Sequence, residues 1–494
     1  MSSNNTWLKH LFEPETIAVI GASNTRLKWG NLVPTNILRG GYQGRLCPVN
    51  PKEDTILGRE VFRSVKDIPG EVDLAIVTVP AHVVTPAVRE CVEKGVKTCI
   101  VISGGFGEAE GGAALQDELV KAIEGSSMRL VGPNTMGIYS SNSRLHALMP
   151  PVRPLAGKIG FAAQSGNLGT QMLTTGKALG VGFSRFVCIG NEADLNCTDY
   201  LEFLLGDPET DVIMLYLEGL QDPRRFIEVA AKGTPDKPII VMKAGKTEAG
   251  AQAARSHSAA LAADDSIFEG VVRQTGMIEA DSTEGMIDIA KALAVSPLPH
   301  GRRIGVLTWG GGWGVVTADA LARCGLEMAV FTDDLIEQLD ALLPPYWSRG
   351  NPVDLVGTLD LSIHFACLEA IARCDTVDAV IGLGTLGASN LFDGFMLEEA
   401  AQGEHDRTKP IDETTASLLQ HLANADETYG TSMMELMKET GKPVVAVSFP
   451  NTESMMPAVA RSGKMAIYPT PERGARVLAA LCEYSEFLER IRGS

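Results

Sequence analysis

Short, nearly unbroken apolar runs recur along this chain, each followed by a glycine- or proline-marked turn and then a helical stretch. Residues 16–20 (TIAVI) form the first run, and residues 45–50, 74–79 (LAIVTV), 98–102 and 128–131 follow it. A strand that is apolar on both faces needs cover on both faces, and strands separated by helices pair in parallel. The pattern predicts parallel α/β sheets. The first would be a five-stranded Rossmann-like domain, with helices over 85–94 and 115–124. At 494 residues the chain has room for about three such domains.

The rest of the chain reads as a duplication. KIGFAAQSGNLG (158–169) aligns without gaps on RIGVLTWGGGWG (303–314). DVIMLYLEG (211–219) matches DAVIGLGTL (378–386), and KPIIVMKAG (237–245) matches KPVVAVSFP (442–450). Two copies of one α/β fold are expected. The first copy has strands near 183–187, 212–217 and 239–243 and ends in a helix over 284–294, before the linker SPLPH at 296–300. The expected domains are therefore 1–145, 146–298 and 299–494. An insertion at about 388–429 lengthens the third; it is polar and acidic, and reads as a surface excursion with some helix.

Composition removes several function classes. A net charge of −18 opposes binding to nucleic acid or to anionic membranes, both of which need basic patches. No apolar run is long enough for a membrane span, and residues 1–14 carry no signal pattern. The nine cysteines are scattered without a C-x-x-C pair, as in a cytoplasmic protein with reduced thiols, and no Cys/His cluster predicts a metal site. Small anionic ligands stay possible, because backbone N–H groups can hold them without a basic patch.

The chemistry is expected in the loops. The turn after the first strand, with Gly21, Ala22, Ser23 and Lys28, precedes a helix and can offer N–H groups to an anion. The second strand ends in Asn50-Pro51-Lys52, where a NAD-binding domain wants an acidic residue for the ribose diol. A lysine suits a phosphorylated ribose, which favours coenzyme A or NADP; a Pro-marked turn with an exposed lysine is the bland alternative. Val79-Pro80 and Pro133-Asn134 end the third and fifth strands at the same sheet edge. Gln164-Ser165-Gly166-Asn167 and Gly310-Gly311-Gly312 open helices in equivalent places of the two copies, so two helix N-termini are available to a phosphate.

His257 lies between two serines in RSHSAALA (255–262), after a Gly/Ala-rich loop, and reads as a phosphate carrier. Glu218 ends the strand 212–217, where a carboxylate can orient an imidazole and make its other nitrogen more nucleophilic. Its counterpart in the second copy is Thr385, so only the first copy is equipped in this way.

Taken in order, IAVIGAS, PVNPK, VDLAIVTVP, GGFGE, GPN, QSGNLG, GFSRFVCIGNEAD, LYLEG, SHSAALA, NPVDLVG and YPTPERGARVLAAL resemble the NDP-forming acyl-CoA synthetases. The match is to the α subunit of the ADP-forming acetyl-CoA synthetase type, related to succinyl-CoA synthetase. It covers residues 10–485 or so. The resemblance implies a Rossmann-like CoA-binding domain followed by two flavodoxin-like domains, with a phosphohistidine at His257 supported by Glu218. It implies coenzyme A, phosphate and a small acyl-CoA as reactants. ADP or ATP with Mg2+ would sit on a separate ATP-grasp β subunit in a heterotetramer, because no segment of this chain is left over for that module. Thr135, Glu192, Ser258 and Trp313 depart from the family pattern; the departures at Thr135, Glu192 and Trp313 bear on the acyl pocket and leave the acyl group open. The rival readings are a non-catalytic CoA-binding or regulatory protein on the same scaffold, and an NADP-dependent oxidoreductase.

Overall fold

A computed structural model describes residues 6–250, 252, 265–358, 360–384, 386, 413–448 and 465–493. It is an α/β protein built on parallel sheets. The first sheet contains β1 (Thr16–Ile20), β2 (Arg45–Val49), β5 (Leu74–Val77), β6 (Thr98–Val101) and β7 (Arg129–Val131), in the order β2-β1-β5-β6-β7; a small hairpin of β3 (Thr55–Ile56) and β4 (Arg59–Glu60) follows β2. All four pairings in this sheet are parallel. Strand order reverses at β1, so the loops after β1 and β5 open a crevice at the carboxyl edge, where open α/β sheets take ligands.

β8 (Gly137–Ser140) and β9 (Leu145–Leu148) form a hairpin that the alternation of strands and helices did not announce. Sequence reading ends the first domain near residue 145; in the structure this hairpin joins the second sheet, β8 lying antiparallel to β11. The direction changes through Asn134 at φ 60 and Gly137 at φ 96. At Gly137 an added Cβ would lie 2.0 Å from the Ala147 carbonyl oxygen, so the turn into the hairpin requires glycine.

The rest of that sheet is β10 (Leu155–Ala163), β11 (Gly182–Cys188), β12 (Val212–Leu217), β13 (Ile239–Lys243) and β14 (Ile278–Glu279), in the order β14-β13-β12-β10-β11-β8-β9. One apolar core runs from Ile17 and Val19 of the first sheet to Ala162, Val187 and Ile213 of the second. Residues 1–177 and 182–279 accordingly form one compact unit.

The second unit comprises residues 178–181 and 280–494. Its sheet holds β15 (Arg303–Thr308), β16 (Glu327–Met328), β17 (Val353–Asp354), β18 (Ala379–Leu383), β19 (Val444–Val447) and β20 (Ile467–Tyr468), ordered β16-β15-β18-β19-β20 with β17 on β15. This repeats the order β11-β10-β12-β13-β14, the topological counterpart of the sequence duplication. The helix Thr283–Val295 belongs to this unit: its Asp288 takes two 2.7 Å bonds from Arg473, and its Lys291 donates to the Leu179 carbonyl. Burial pushes the Lys291 ammonium down to about 8, against the opposing charge of Asp288. No described helix is long and apolar enough to cross a membrane, and no described group of His, Cys, Asp and Glu could hold a metal ion.

Candidate functional site

A cleft of about 1060 Å³ opens in the first unit where the carboxyl edge of the first sheet meets the helix start after β10. Gly21, Ser23, Lys28, Asn50, Val79, Pro80 and Asn134 line it from the first sheet, and Gln164, Ser165, Gly166 and Asn167 from the second. Two residue sets read separately in the sequence thus share one wall. Ala22 is fully buried beneath the cleft, while Pro51, Lys52 and Pro133 stand outside its lining. Among the described lining residues Lys28 is the one charged side chain, so the polarity of the cleft comes mostly from amides, hydroxyls and backbone.

The floor is set by close approach. The helix Trp29–Gly40 starts directly over the end of β1; a Cβ at Gly30 would lie 2.0 Å from the Gly21 carbonyl oxygen. Gly21 itself has φ 87, and Ser23 N–H donates to the Gly30 carbonyl at 2.9 Å. Neither this helix nor Ala81–Lys94 has a side-chain cap, so both direct N-terminal partial positive charge toward the crevice. The Asn50 side chain is engaged within the protein: it donates to the Ala22 carbonyl at 2.7 Å and accepts from Lys52 N–H at 2.8 Å. Asn50 therefore holds the β1 turn in place as well as facing the cleft.

The Gly132-Pro133-Asn134 and Gly190-Asn191 loops are tied together. Pro133 O accepts from Asn191 N–H at 2.9 Å, and Gly132 O accepts from Ala193 N–H at 3.0 Å. At Gly190, φ is 70 and a Cβ would meet Pro133 O at 2.3 Å. Glu108 bridges them to the Gly-rich loop after β6, accepting from Gly105 N–H and the Asn191 amide at 2.5 Å each. Burial raises the Glu108 carboxyl, but these bonds outweigh it and hold the group below its ordinary range. Thr135, one of the departures from the family pattern, donates to the Cys188 carbonyl at 2.5 Å and accepts from Gly137 N–H at 3.0 Å.

Gln164 lies at the turn out of β10. Its Oε1 accepts from the N–H groups of Glu218 at 2.5 Å and Gly219 at 3.1 Å, and its Nε2 donates to Gly219 O at 2.7 Å. Glu218 is therefore fixed, through its backbone, to a residue that lines the cleft. Its carboxylate accepts from the Tyr216 hydroxyl, two residues back on β12; burial and the Glu218 charge together push Tyr216 up to about 12. Tyr216 was missed in the sequence, where an aromatic in an apolar strand reads as core. Ile102 and Met149 of the apolar lining were missed as well, whereas Leu27, Trp29 and Met136 lie in the turns that the sequence already places at the ligand edge.

Gly310, Gly311 and Gly312 lie in the second unit, at the start of the helix Gly311–Arg323 that follows β15, with no side-chain cap. His257, Thr385 and residues 388–412 of the insertion lie outside the described residues; residues 413–440 form the long helix Glu413–Thr440.

Comparison with known proteins matches residues 15–141 to the CoA binding domain family, 156–293 to the succinyl-CoA ligase like flavodoxin domain and 304–384 to the ligase-CoA domain. The chain is 37% identical over 438 residues to the α subunit of acetate–CoA ligase [ADP-forming] II from Pyrococcus furiosus, covering 88% of this chain and 94% of that one. It is 40% identical over 379 residues to acetate–CoA ligase [ADP-forming] I from Archaeoglobus fulgidus, covering 76% of this chain and 55% of that relative. Dinucleotide forming acetyl-coenzyme A synthetase 1 from Ca. Korarchaeum cryptofilum, solved in complex with phosphate and ADP, is similar over 98% of both chains, with a TM-score of 0.83 and 34% identity. Similarity of this extent, carried by three domain families in one order, makes the chain a member of the NDP-forming acetyl-CoA synthetase family, of the α-subunit type.

Proposed function

We propose that this chain carries the CoA and phosphate chemistry of an ADP-forming acyl-CoA synthetase, catalysing acyl-CoA + ADP + phosphate ⇌ carboxylic acid + CoA + ATP. The observation that carries the reading is the shared cleft. The β1 and β5 loops of the first sheet and the Gln164–Asn167 turn of the second line one crevice, so a thioester entering along the first sheet arrives at a helix N-terminus suited to phosphate.

In this scheme a phosphate oxygen attacks the thioester carbonyl. The new C–O bond gives acyl phosphate, the C–S bond breaks, and CoA leaves as the thiol. An imidazole nitrogen of His257 then attacks phosphorus; the P–N bond forms and the carboxylate leaves. Covalent transfer divides one difficult step into two. Backbone N–H groups at the helix starts stabilise the equatorial phosphoryl oxygens without a basic patch, which is compatible with the net charge of −18. Glu218, held by Tyr216 and Gln164, is assigned to orient His257. ADP, with Mg2+, accepts the phosphoryl group on an ATP-grasp partner; relatives named as α subunits support a partner chain.

The test is incubation with labelled inorganic phosphate and acetyl-, propionyl- or a longer acyl-CoA. Acid-labile, alkali-stable label on the chain is expected, absent in His257→Ala and formed slowly in Glu218→Gln. Label retained in His257→Ala refutes the phosphohistidine.

A further inference from the structure

The β8–β9 hairpin carries two methionines to the cleft. Gly137 pairs with Leu148 in the hairpin, and one residue further out Met149 N–H donates to the Met136 carbonyl at 2.9 Å; both side chains line the cleft. Met149 is also held from the floor: the Asn36 amide, on the helix Trp29–Gly40, donates to the carbonyls of Leu148 at 2.8 Å and Pro150 at 3.1 Å. Met136 packs on the helix start after β10, where a Cβ at Gly166 would lie 2.3 Å from its Cγ, and Gly166 lines the same cleft. Ile102, 4% exposed, adds a third apolar side chain. Three lining hydroxyls are spent inside the protein: Thr135 donates to the Cys188 carbonyl, Thr78 to that of Ile20 and Ser103 to that of Val79. Lys28, the one charged lining side chain among the described residues, stands exposed in the turn after β1.

We propose that Met136 and Met149 form the subsite for the acyl chain, and that they select an uncharged apolar chain such as butyryl over acetyl and over dicarboxylic chains such as succinyl. The assignment rests on the reading that phosphate at the helix start after β10 attacks the thioester carbonyl. A carbonyl within reach of that helix start lies beside Met136, because Met136 packs on Gly166. The chain beyond the carbonyl then meets two thioethers and Ile102. Methionine is unbranched and its sulfur is polarisable, so the pair can fit itself to an apolar chain. Each methylene moved from water into such surroundings favours binding, and acetyl has only its methyl to offer. A terminal carboxylate would be stripped of water among thioethers and hydroxyls already spent elsewhere, which opposes its binding.

Titration calorimetry of the full chain with acetyl-, butyryl- and succinyl-CoA reads the subsite without turnover. Wild type is expected to bind butyryl-CoA about tenfold tighter than acetyl-CoA, the scale of two buried methylenes. Succinyl-CoA, with the same carbon count as butyryl-CoA, is expected to bind about a hundredfold more weakly than it. In Met136→Ala and in Met149→Ala the butyryl-over-acetyl ratio should fall to about threefold or less, whereas Met136→Leu and Met149→Leu, which keep the apolar volume, should retain most of it. A ratio taken on one protein cancels any general loss of folded chain. Equal affinity of wild type for acetyl- and butyryl-CoA overturns the proposal. So does succinyl-CoA bound as tightly as butyryl-CoA, or a ratio unchanged in both alanine variants. Phosphate labelling keeps the two readings apart: absence of label with every acyl-CoA counts against the synthetase scheme, and the binding ratios decide the subsite by themselves.

Discussion

Replacing Glu192 with glutamine should make the first unit more stable than wild type at high pH and progressively less so toward acid. The unfolded carboxyl ionises near 4.5 and the folded one near 7, a gap of 2.5 pH units. At about 1.4 kcal/mol per unit this corresponds to about 3 kcal/mol. The sign follows from where the proton is held. Below pH 4.5 the carboxyl is protonated in both states and its contribution to stability is fully present. As pH rises from 4.5 through 7 the unfolded chain releases the proton first, and that contribution is lost; above 7 the loss is complete. Glutamine stays neutral throughout and escapes it. A fixed cost of the substitution, such as one weaker hydrogen bond, cancels when the same pair of proteins is compared at two pH values. For a cooperative unit of roughly 275 residues, about 3 kcal/mol corresponds to about 5 °C in melting temperature. Scanning calorimetry of both proteins at pH 5 and pH 8.5 should show the variant's melting temperature gaining about that much on wild type between the two. An unchanged difference, or one of opposite sign, refutes the argument that burial dominates the Glu192 environment.

Two further outcomes follow from the same unit. Arg185 is 3% exposed at its side chain and is held by Asp207, Ser140 and Glu13, so Asp207→Ala leaves a buried guanidinium with its more exposed carboxylate partner; a loss of about 3 kcal/mol in denaturant unfolding is expected, and one under 1 kcal/mol would contradict the assignment. Gly30→Ala sets a Cβ 2.0 Å from the Gly21 carbonyl oxygen and forces the helix start off the cleft floor; calorimetric titration should show CoA binding weakened about 10–100-fold, whereas unchanged affinity would remove this helix from the binding surface.

The strands of the first sheet were legible because an apolar run covered on both faces has a sequence signature independent of its neighbours. β1, β12 and β13 fall where that signature puts them. The duplication was legible for the same reason: equivalent strands meet equivalent packing, and the two sheets share one strand order. The β8–β9 hairpin was not, because its strands are four residues each with no helix between them, and only the pairing with β11 decides which sheet they join. The helix Thr283–Val295 was legible as a helix, but its neighbours were not: Asp288 and Lys291 find their partners in Arg473 and Leu179, distant in the chain.

At the site, the sequence by itself determined which loops carry glycine, amide and carboxylate groups, because those residue types are needed locally to turn the chain and to expose backbone N–H groups. The tertiary structure alone decided which of these groups meet. It brought the Lys28 and Asn50 loops to the Gln164 turn in one cleft and set Tyr216 on Glu218. It also buried Glu192, and the low-dielectric surroundings move its charge change toward neutral pH. Burial and hydrogen-bond geometry arise from contacts between segments distant in the chain, and no local pattern records them.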